Sequence, residues 1–373
     1  MQSEKEIVDL FCRLASLDAP SRSERLVADA VTAYLNELGI TVEEDDTAAR
    51  IGGNSGNLTA RIPGSVPGPA ILFCAHMDTV EPCHDKKIII TDDRVIRSDG
   101  TTILGADDVA ALTGILANIK DLMKTGIPHR DIELFFTVAE ETHLLGSRQV
   151  DLSGFKAACA YVIDANRAPG IGVTGAPGHI SFEVDITGQS AHAGINPEEG
   201  VSAITVAATA IARMKLGRVD AITTANIGRI EGGTVTNIVA DSCRLTTECR
   251  SLEWSRLEAQ AQHMRECLES AAAEAGAQVA ITETINYYPY DVQPDGLAMK
   301  QFLAACERLG IKPELVKLGG GSDMNVLARG GIPGMVLSCG MQRMHSCQEF
   351  ITIDDLMMTV DLIRQLMTLP VPV

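Results

Sequence analysis

Several apolar runs of this 373-residue chain end in side chains that could bind a metal ion. In FFTVAEE, the adjacent carboxylates Glu140 and Glu141 follow the run 132–138 after a single alanine. Adjacent glutamates after a strand commonly form only a solvated turn, and a short pattern is weak evidence by itself. Further apolar runs end in, or lead to, His76, Asp164 and His345. Whether these side chains share a chemical role depends on the fold that the sequence predicts.

The apolar runs alternate with helical patterns. Runs such as 70–75 and 157–163 are typical of strands buried on both faces, as in a parallel sheet. Between them, 105–126 has apolar residues at helical spacing, and Asp107 and Asp108 stand at its start, where carboxylates cap free backbone N–H groups. We therefore predict an α/β fold with a mostly parallel sheet and flanking helices.

The pattern changes between residues 178 and 286. Strands with alternating polar and apolar residues, and two helices of which the first begins at Pro197, follow in the order β-α-β-β-α-β. This order is that of a ferredoxin-like α+β domain. We therefore predict that residues 178–286 are inserted into a domain formed by residues 1–177 and 287–373.

The composition restricts the class of partner. The chain has 31 basic and 49 acidic residues, a formal net charge of −18, and no basic stretch that could neutralise a run of phosphates. We therefore expect neither nucleic acid nor an anionic membrane as a partner. The start lacks a secretory signal pattern, no run reaches the roughly 18 apolar residues of a membrane span, and the cysteines form no CxxC pair. These features favour a cytoplasmic location.

In an open α/β sheet, functional sites form beyond the carboxyl ends of the strands. Five side chains are expected to converge there: His76, Asp107, Glu141, Asp164 and His345. Two imidazoles and three carboxylates suit two ions that share one carboxylate, and these ligand types favour zinc, with cobalt or manganese as alternatives. Asp78 could accept the other ring N–H of His76. Glu140 then remains as a carboxylate that could act as general base.

Segments spread over nearly the whole chain resemble the M20 family of co-catalytic zinc peptidases, most of all its peptidase T-like, or tripeptidase-like, branch. They are HMDT at 76–79, GTTILGADDVA at 100–110, AEE at 139–141, IDA around Asp164, QSAHAG around His192, GGTVTNIVAD at 232–241 and MHS around His345. The resemblance implies a zinc exopeptidase-like catalytic domain with an inserted lid and dimerisation domain.

The resemblance also implies the ligand set of each ion. His76, Asp107 and Asp164 would bind one ion, and His345, Asp107 and Glu141 would bind the other. Asp107 is chosen over Asp108 because the resemblance implies that the first of the two adjacent aspartates is the ligand. Val109 departs from the branch, in which a lysine is common at this position, and the departure bears on peptide specificity.

Further roles are implied for residues that bind no metal. Asp78 would orient His76, and Glu140 would activate a water held between the ions. His192 would reach from a neighbouring subunit of a homodimer and stabilise the oxyanion. His192 has a simpler alternative, because a histidine in a turn is commonly just exposed.

Substrate contacts are predicted for a second group of residues: Asn237, Arg250, Gly320 and Gly321. Arg250 could hold a terminal carboxylate with its planar guanidinium, although it could equally form a surface ion pair. The two glycines allow a close approach of backbone to substrate, or else only a tight turn.

These inferences lead to a predicted function, the dinuclear metal-dependent hydrolysis of a peptide bond in short peptides, as by a tripeptidase or aminopeptidase. One alternative is an amidohydrolase acting on N-acyl amino acids, since the same site cleaves any small amide. A second alternative is a catalytically inactive homologue that binds metal or peptide. The presence of Glu140 argues against the latter, because binding alone requires no base.

Overall fold

The computed structural model describes residues 2–370. The strands are β1 Val42–Glu44, β2 Leu58–Ile62, β3 Ala70–His76, β4 Ile89–Ile90, β5 Val95–Arg97, β6 Ile132–Thr137, β7 Ala157–Ala165, β8 Ile171–Ala176, β9 Gly178–Thr187, β10 Gly217–Arg218, β11 Thr223–Gly232, β12 Ser242–Ser251, β13 Gln278–Tyr287, β14 Tyr290–Asp291, β15 Glu314–Lys317, β16 Gly334–Ser338 and β17 Phe350–Thr352. The α-helices are α1 Glu4–Ala15, α2 Arg25–Glu37, α3 Thr47–Ile51, α4 Ala106–Thr125, α5 Ala203–Arg213, α6 Trp254–Ala275, α7 Leu297–Leu309, α8 Asp323–Arg329 and α9 Ile353–Thr368.

The chain forms two compact units. The first contains the described residues up to Gly175, Asp291–Leu318 and the described residues from Ser322 onward. The second contains Ala176–Tyr290 and Gly319–Gly321. The predicted insert, 178–286, has similar limits but does not include the three glycines, and its boundaries stay a prediction.

The first unit is built on a mixed sheet with the strand order β1-β2-β6-β3-β7-β16-β8. The central strands β6, β3, β7 and β16 are parallel neighbours, whereas β2 and β8 pair with them in the antiparallel sense. Every residue of β3 and β6 is buried, as their continuous apolar runs predict. The predicted α/β fold with a mostly parallel sheet is confirmed, and its parallel part is the centre of the sheet.

Helix α4 is almost completely buried between the sheet and the helices α1 and α9. Gly114 allows α9 to approach closely, because a Cβ at this position would lie 2.6 Å from Cδ1 of Ile363. The predicted capping of α4 by Asp107 and Asp108 is wrong. Both residues have non-helical backbone angles, and neither side chain caps the helix.

The second unit contains an antiparallel sheet with the order β10-β11-β12-β9-β13, on which α5 and α6 pack. The succession β9-α5-β11-β12-α6-β13 is that of a ferredoxin-like sandwich, which confirms the predicted fold class. The predicted helix start at Pro197 is wrong, because this residue begins a single 3-10 turn and α5 begins at Ala203. Ser202 caps α5 by accepting a hydrogen bond from the N–H of Thr205.

Among residues 2–370, no helix combines the length and the apolar character that a membrane span requires.

Candidate dinuclear metal centre

The predicted metal ligands come together in the first unit at the carboxyl ends of the central strands. His76 is the last residue of β3, Asp164 lies near the end of β7, and Glu141 and His345 follow β6 and β16 in the sequence. The parallel order of these strands places their carboxyl ends at one edge of the sheet. The predicted ligands are thus close in space although the chain separates them widely.

Asp107 lies between the two histidines. Its Oδ1 is 3.0 Å from Nε2 of His76, and its Oδ2 is 3.2 Å from Nε2 of His345. Burial disfavours the ionised carboxylate, but the close imidazoles of His345 and His76 outweigh burial and lower the pKa of Asp107. One carboxylate therefore presents a separate oxygen atom to each imidazole, as a ligand shared by two ions would.

Each histidine also faces a second carboxylate. Oδ1 of Asp164 is 3.7 Å from Nε2 of His76, and Oε1 of Glu141 is 3.0 Å from Nε2 of His345. Burial raises the pKa of Asp164 to about 7, despite the nearby imidazole of His76. The close carboxylates of Asp107 and Glu141 raise the pKa of His345 to about 10.

The donor set fits divalent metal ions. Oδ2 of Asp107 and Oε1 of Glu141 are buried and have no hydrogen-bond donor in good geometry, although both lie near Nε2 of His345. Buried anionic oxygens without a donor are costly, and a cation between them and the imidazoles would remove this cost. Three overlapping groups have ligand atoms within 4.8 Å of one another: His76, Asp107 and Glu141; His76, Glu140 and Asp164; and Asp107, Asp108 and Asp164.

The backbone N–H groups of both glutamates are held by Asp78, which is fully buried. Oδ1 of Asp78 accepts the N–H of Glu140 at 3.0 Å, and Oδ2 accepts the N–H of Glu141 at 3.2 Å. Nδ1 of His76 donates its N–H to the backbone carbonyl of Asp78 at 2.9 Å, whereas Oδ1 of Asp78 is 3.5 Å from this nitrogen. The carboxylate therefore orients the two glutamates more directly than the predicted histidine.

The turn that carries the glutamates begins at Ala139, whose φ of 51° lies in the left-handed region. Its N–H donates to Oε1 of Glu24 at 2.9 Å, and the N–H of Val138 donates to Oδ1 of Asn57 at 3.0 Å. Together with Asp78, these side chains bind four successive backbone N–H groups. Such unusual backbone geometry persists only where the surroundings impose it, as at functional sites.

Glu140 itself is buried at 8% exposure. Burial and the nearby charge of Asp164 raise its pKa well above the ordinary value. A carboxyl group with such a pKa can both accept and return a proton, which is the requirement for a general base that later acts as an acid.

Sequence reasoning missed three buried carboxylates of this region: Glu24, Asp323 and Glu349. Oδ2 of Asp323 lies within hydrogen-bond distance of Oγ1 of Thr137, and Glu349 accepts N–H groups of the loop before α4. The only signal in the sequence is the position of Glu349 four residues after His345. Glu24 lies in the polar segment SRSER, in which nothing indicates a buried carboxylate.

The other predicted residues belong to the second unit. His192 is exposed, its Nδ1 accepts the N–H of Gly194 at 3.1 Å, and the backbone N–H of Ala193 donates to the carbonyl of Asn237 at 3.0 Å. His192 and the exposed Asn237 thus lie on adjacent segments. The guanidinium of Arg250 contacts both carboxylate oxygens of Glu248, at 3.1 and 3.0 Å, which is the ion pair named as its alternative role.

The two predicted glycines differ in their surroundings. A Cβ at Gly321 would lie 2.3 Å from the ring of Tyr287, so a tyrosine of the same unit accounts for this glycine. A Cβ at Gly320 would have no heavy atom within 4 Å. A close approach of substrate is therefore not needed to explain Gly321.

Comparison with known proteins gives two matching family models. The "Peptidase dimerisation domain" model of the M20 family matches residues 174–276, and the "Peptidase family M28" model matches residues 57–166. The two models name different families for different parts of the chain. Relatives that match over the full length decide between them.

These relatives are similar from end to end. The uncharacterised protein YqjE of Bacillus subtilis is 38% identical, over 97% of this chain and 98% of that protein. The solved aminopeptidase PepT of Bacillus cereus is 39% identical with a TM-score of 0.90, over 98% of both chains. A solved tripeptidase of Staphylococcus aureus is 35% identical with a TM-score of 0.95, over 99% of this chain and 98% of that chain. By these full-length similarities, the chain belongs to the M20 family of peptidases and is peptidase T-like.

Proposed function

We propose that this protein is a dinuclear metal-dependent exopeptidase that hydrolyses short peptides, as a tripeptidase or aminopeptidase. The observation that carries the proposal is the position of Asp107, with one carboxylate oxygen facing His76 and the other facing His345. The relatives named PepT and tripeptidase support the same class of substrate.

The proposed ligands are His76, Asp107 and Asp164 for one ion and His345, Asp107 and Glu141 for the other. Imidazole and carboxylate ligands without a thiolate favour zinc, and cobalt or manganese would accept the same set. Bound ions of this kind polarise a carbonyl group and lower the pKa of water.

Glu140 is the proposed general base. Its carboxylate takes one proton from the water whose oxygen attacks the peptide carbonyl carbon. The same proton then passes to the leaving nitrogen as the C–N bond breaks. The products are a free amine and a carboxylic acid, which keeps the second proton of the water until it ionises in solution. Asp78 holds the backbone N–H of Glu140 and thereby fixes the position of this side chain.

A homodimer through the second unit is part of the proposal, and the match to the dimerisation domain model supports it. In it, His192 from a second copy would donate a hydrogen bond to the tetrahedral oxygen. Asn237, Arg250, Gly320 and Gly321 remain proposed substrate contacts. Sedimentation equilibrium of the purified protein measures the oligomeric state.

The test is a hydrolysis screen with metal content measured on the same samples. We expect about two divalent ions per chain, cleavage of tripeptides and loss of cleavage on treatment with a chelator. Cleavage of N-acyl amino acids in place of peptides would favour an amidohydrolase. Two bound ions with no hydrolysis of any peptide or amide would indicate an inactive binding protein.

A further inference from the structure

Glu349 lies outside every ligand set considered so far, yet it contacts the loop that carries Asp107. Its Oε2 accepts the backbone N–H groups of Leu104 and Gly105 at 2.9 and 2.7 Å, and its Oε1 accepts the N–H of Asp107 at 3.0 Å. The side chain is 1% exposed. Both carboxylate oxygens are therefore used to hold one short stretch of backbone.

The segment that contains His345 and Glu349 contacts Asp107 at two places. His345 faces its carboxylate, and Glu349 binds its backbone N–H. This segment is anchored on both sides, because Phe350 pairs with Arg97 in the strand pair β17 and β5 and also with Gln342. The anchored segment with Glu349 therefore holds the backbone around Asp107 in place.

We propose that Glu349 is a positioning residue that sets the direction in which Asp107 presents its two oxygens. The inference rests on the proposed function, since the consequence of this orientation is the affinity for the two ions. Asp107 has no helical backbone geometry of its own to orient it, because the regular part of α4 begins after Asp108. Three hydrogen bonds to a buried carboxylate supply that constraint.

Glu349→Gln tests the proposal with little change in volume. A glutamine has one acceptor oxygen, so either the pair of N–H groups or the N–H of Asp107 must face an NH₂ group. We expect Zn²⁺ affinity, measured by competition with a chromophoric chelator on metal-free protein, to fall about 10- to 100-fold. Affinity equal to that of the wild type would overturn the proposal.

Glu133→Gln is the matched control. Glu133 is also buried, and its two oxygens accept the N–H groups of Lys156 and Ala157, but it lies at the amino end of β6, the opposite end of the strand from the metal ligands. This variant should lose thermal stability and keep its Zn²⁺ affinity. An equal loss of affinity in both variants would mean that general destabilisation is responsible, and would contradict the specific role of Glu349.

Glu24→Gln is a second comparison, in which we expect a smaller loss of Zn²⁺ affinity than in Glu349→Gln. Glu24 uses only Oε1, which accepts the N–H groups of Arg22 and Ala139, whereas its Oε2 has no hydrogen-bond partner among residues 2–370. A glutamine can keep both hydrogen bonds, so the affinity should change less than in Glu349→Gln. A larger loss here than in Glu349→Gln would contradict the hydrogen-bond argument.

Hydrogen exchange in the wild type requires no variant. The amides of Leu104, Gly105 and Asp107 should be protected, and exchange at the rate of an exposed loop would overturn the proposal even if Glu349→Gln did not fold. Wild-type protein that binds no Zn²⁺ would instead contradict the proposed function, while the exchange measurement would still test the contacts of Glu349.

Discussion

Asp78 binds the backbone of Glu140 through a hydrogen bond of 3.0 Å between its Oδ1 and the glutamate N–H. Its second oxygen binds the next N–H, that of Glu141. One buried carboxylate therefore fixes two adjacent glutamates whose side chains have different proposed tasks. Glu141 faces His345 as a ligand, and Glu140 remains free of an imidazole partner and is available for proton transfer.

Replacement of each glutamate separates these tasks. Glu140→Gln should lower kcat by at least about 100-fold, because a general base typically contributes that much, and should leave two ions bound. Glu141→Gln should lose one ion per chain. Steady-state kinetics with elemental analysis on the same preparations measures both effects. Normal turnover by Glu140→Gln would show that the base is wrongly assigned.

Asp107 and Asp108 form a second informative pair. Asp107→Asn removes a charge that faces both histidines, so both ions should bind more weakly. In Asp108→Asn, the side-chain oxygen can still accept the N–H of His76, which Oδ2 of Asp108 accepts at 3.2 Å, so metal content should change little. Isothermal titration with Zn²⁺ compares the variants. The reverse order of effects would assign the shared ligand to Asp108.

The stability of the second unit should depend on pH through Glu248. The imidazole of His179, whose Nε2 is 3.0 Å from Oε2 of Glu248, acts together with Arg250 against the effect of burial and lowers the pKa of Glu248 from 4.5 to about 2. Because the folded-state pKa is the lower one, the stabilisation is complete above about pH 4.5 and is lost as the pH falls towards about 2. At pH 7, Glu248→Gln should be less stable by about 1–3 kcal/mol.

Urea unfolding across this pH range measures the free energy of unfolding of the wild type and of Glu248→Gln. The difference between the two should shrink as the solution becomes acidic. Glu274→Gln is the control, because Glu274 pairs with Arg213 at an exposed position and such pairs contribute little. A difference between wild type and Glu248→Gln that stays constant with pH would rule out the ion pair as its origin.

The glycines of the 319–321 segment separate packing from substrate contact. Gly321→Ala should destabilise the protein by about 1–3 kcal/mol, because its Cβ overlaps the ring of Tyr287. Gly320→Ala has free space and should unfold at the wild-type temperature. Calorimetry and peptide kinetics test both. An increase in KM for Gly320→Ala at unchanged stability would support the substrate contact predicted for this glycine.

The parallel centre of the sheet and the strand ends that carry the ligands could be predicted because both leave a signal in short stretches of sequence. A continuous apolar run indicates a strand buried on both faces, and a polar residue directly after it must lie at the edge of the sheet. Thus His76 and Asp164 could be placed from their neighbours in the chain alone. Their ligand roles and those of Asp107, Glu141 and His345 stay predictions, which the observed distances support.

The partners of these residues could not be predicted in the same way. Glu24 and Glu349 are buried only because distant segments cover them, and no periodicity identifies a carboxylate that accepts backbone N–H groups. For Arg250, the spacing did contain a signal: Glu248 is two residues earlier, on the same face of β12, and can therefore bind the guanidinium first. The start of α5 was misplaced because Pro197 fits the first position of a 3-10 turn as well as that of an α-helix.

The order in which the centre is completed follows from the sheet topology. The strands β3, β6 and β7 are synthesised early, but β16 and the segment with His345 and Glu349 come near the end of the chain. Until that segment is translated and docked, Asp107 lacks both its second imidazole and the carboxylate that holds its backbone. A nascent chain on the ribosome would therefore carry an incomplete centre until this segment has been translated, so tight metal uptake, and with it peptidase activity, should begin only after that point.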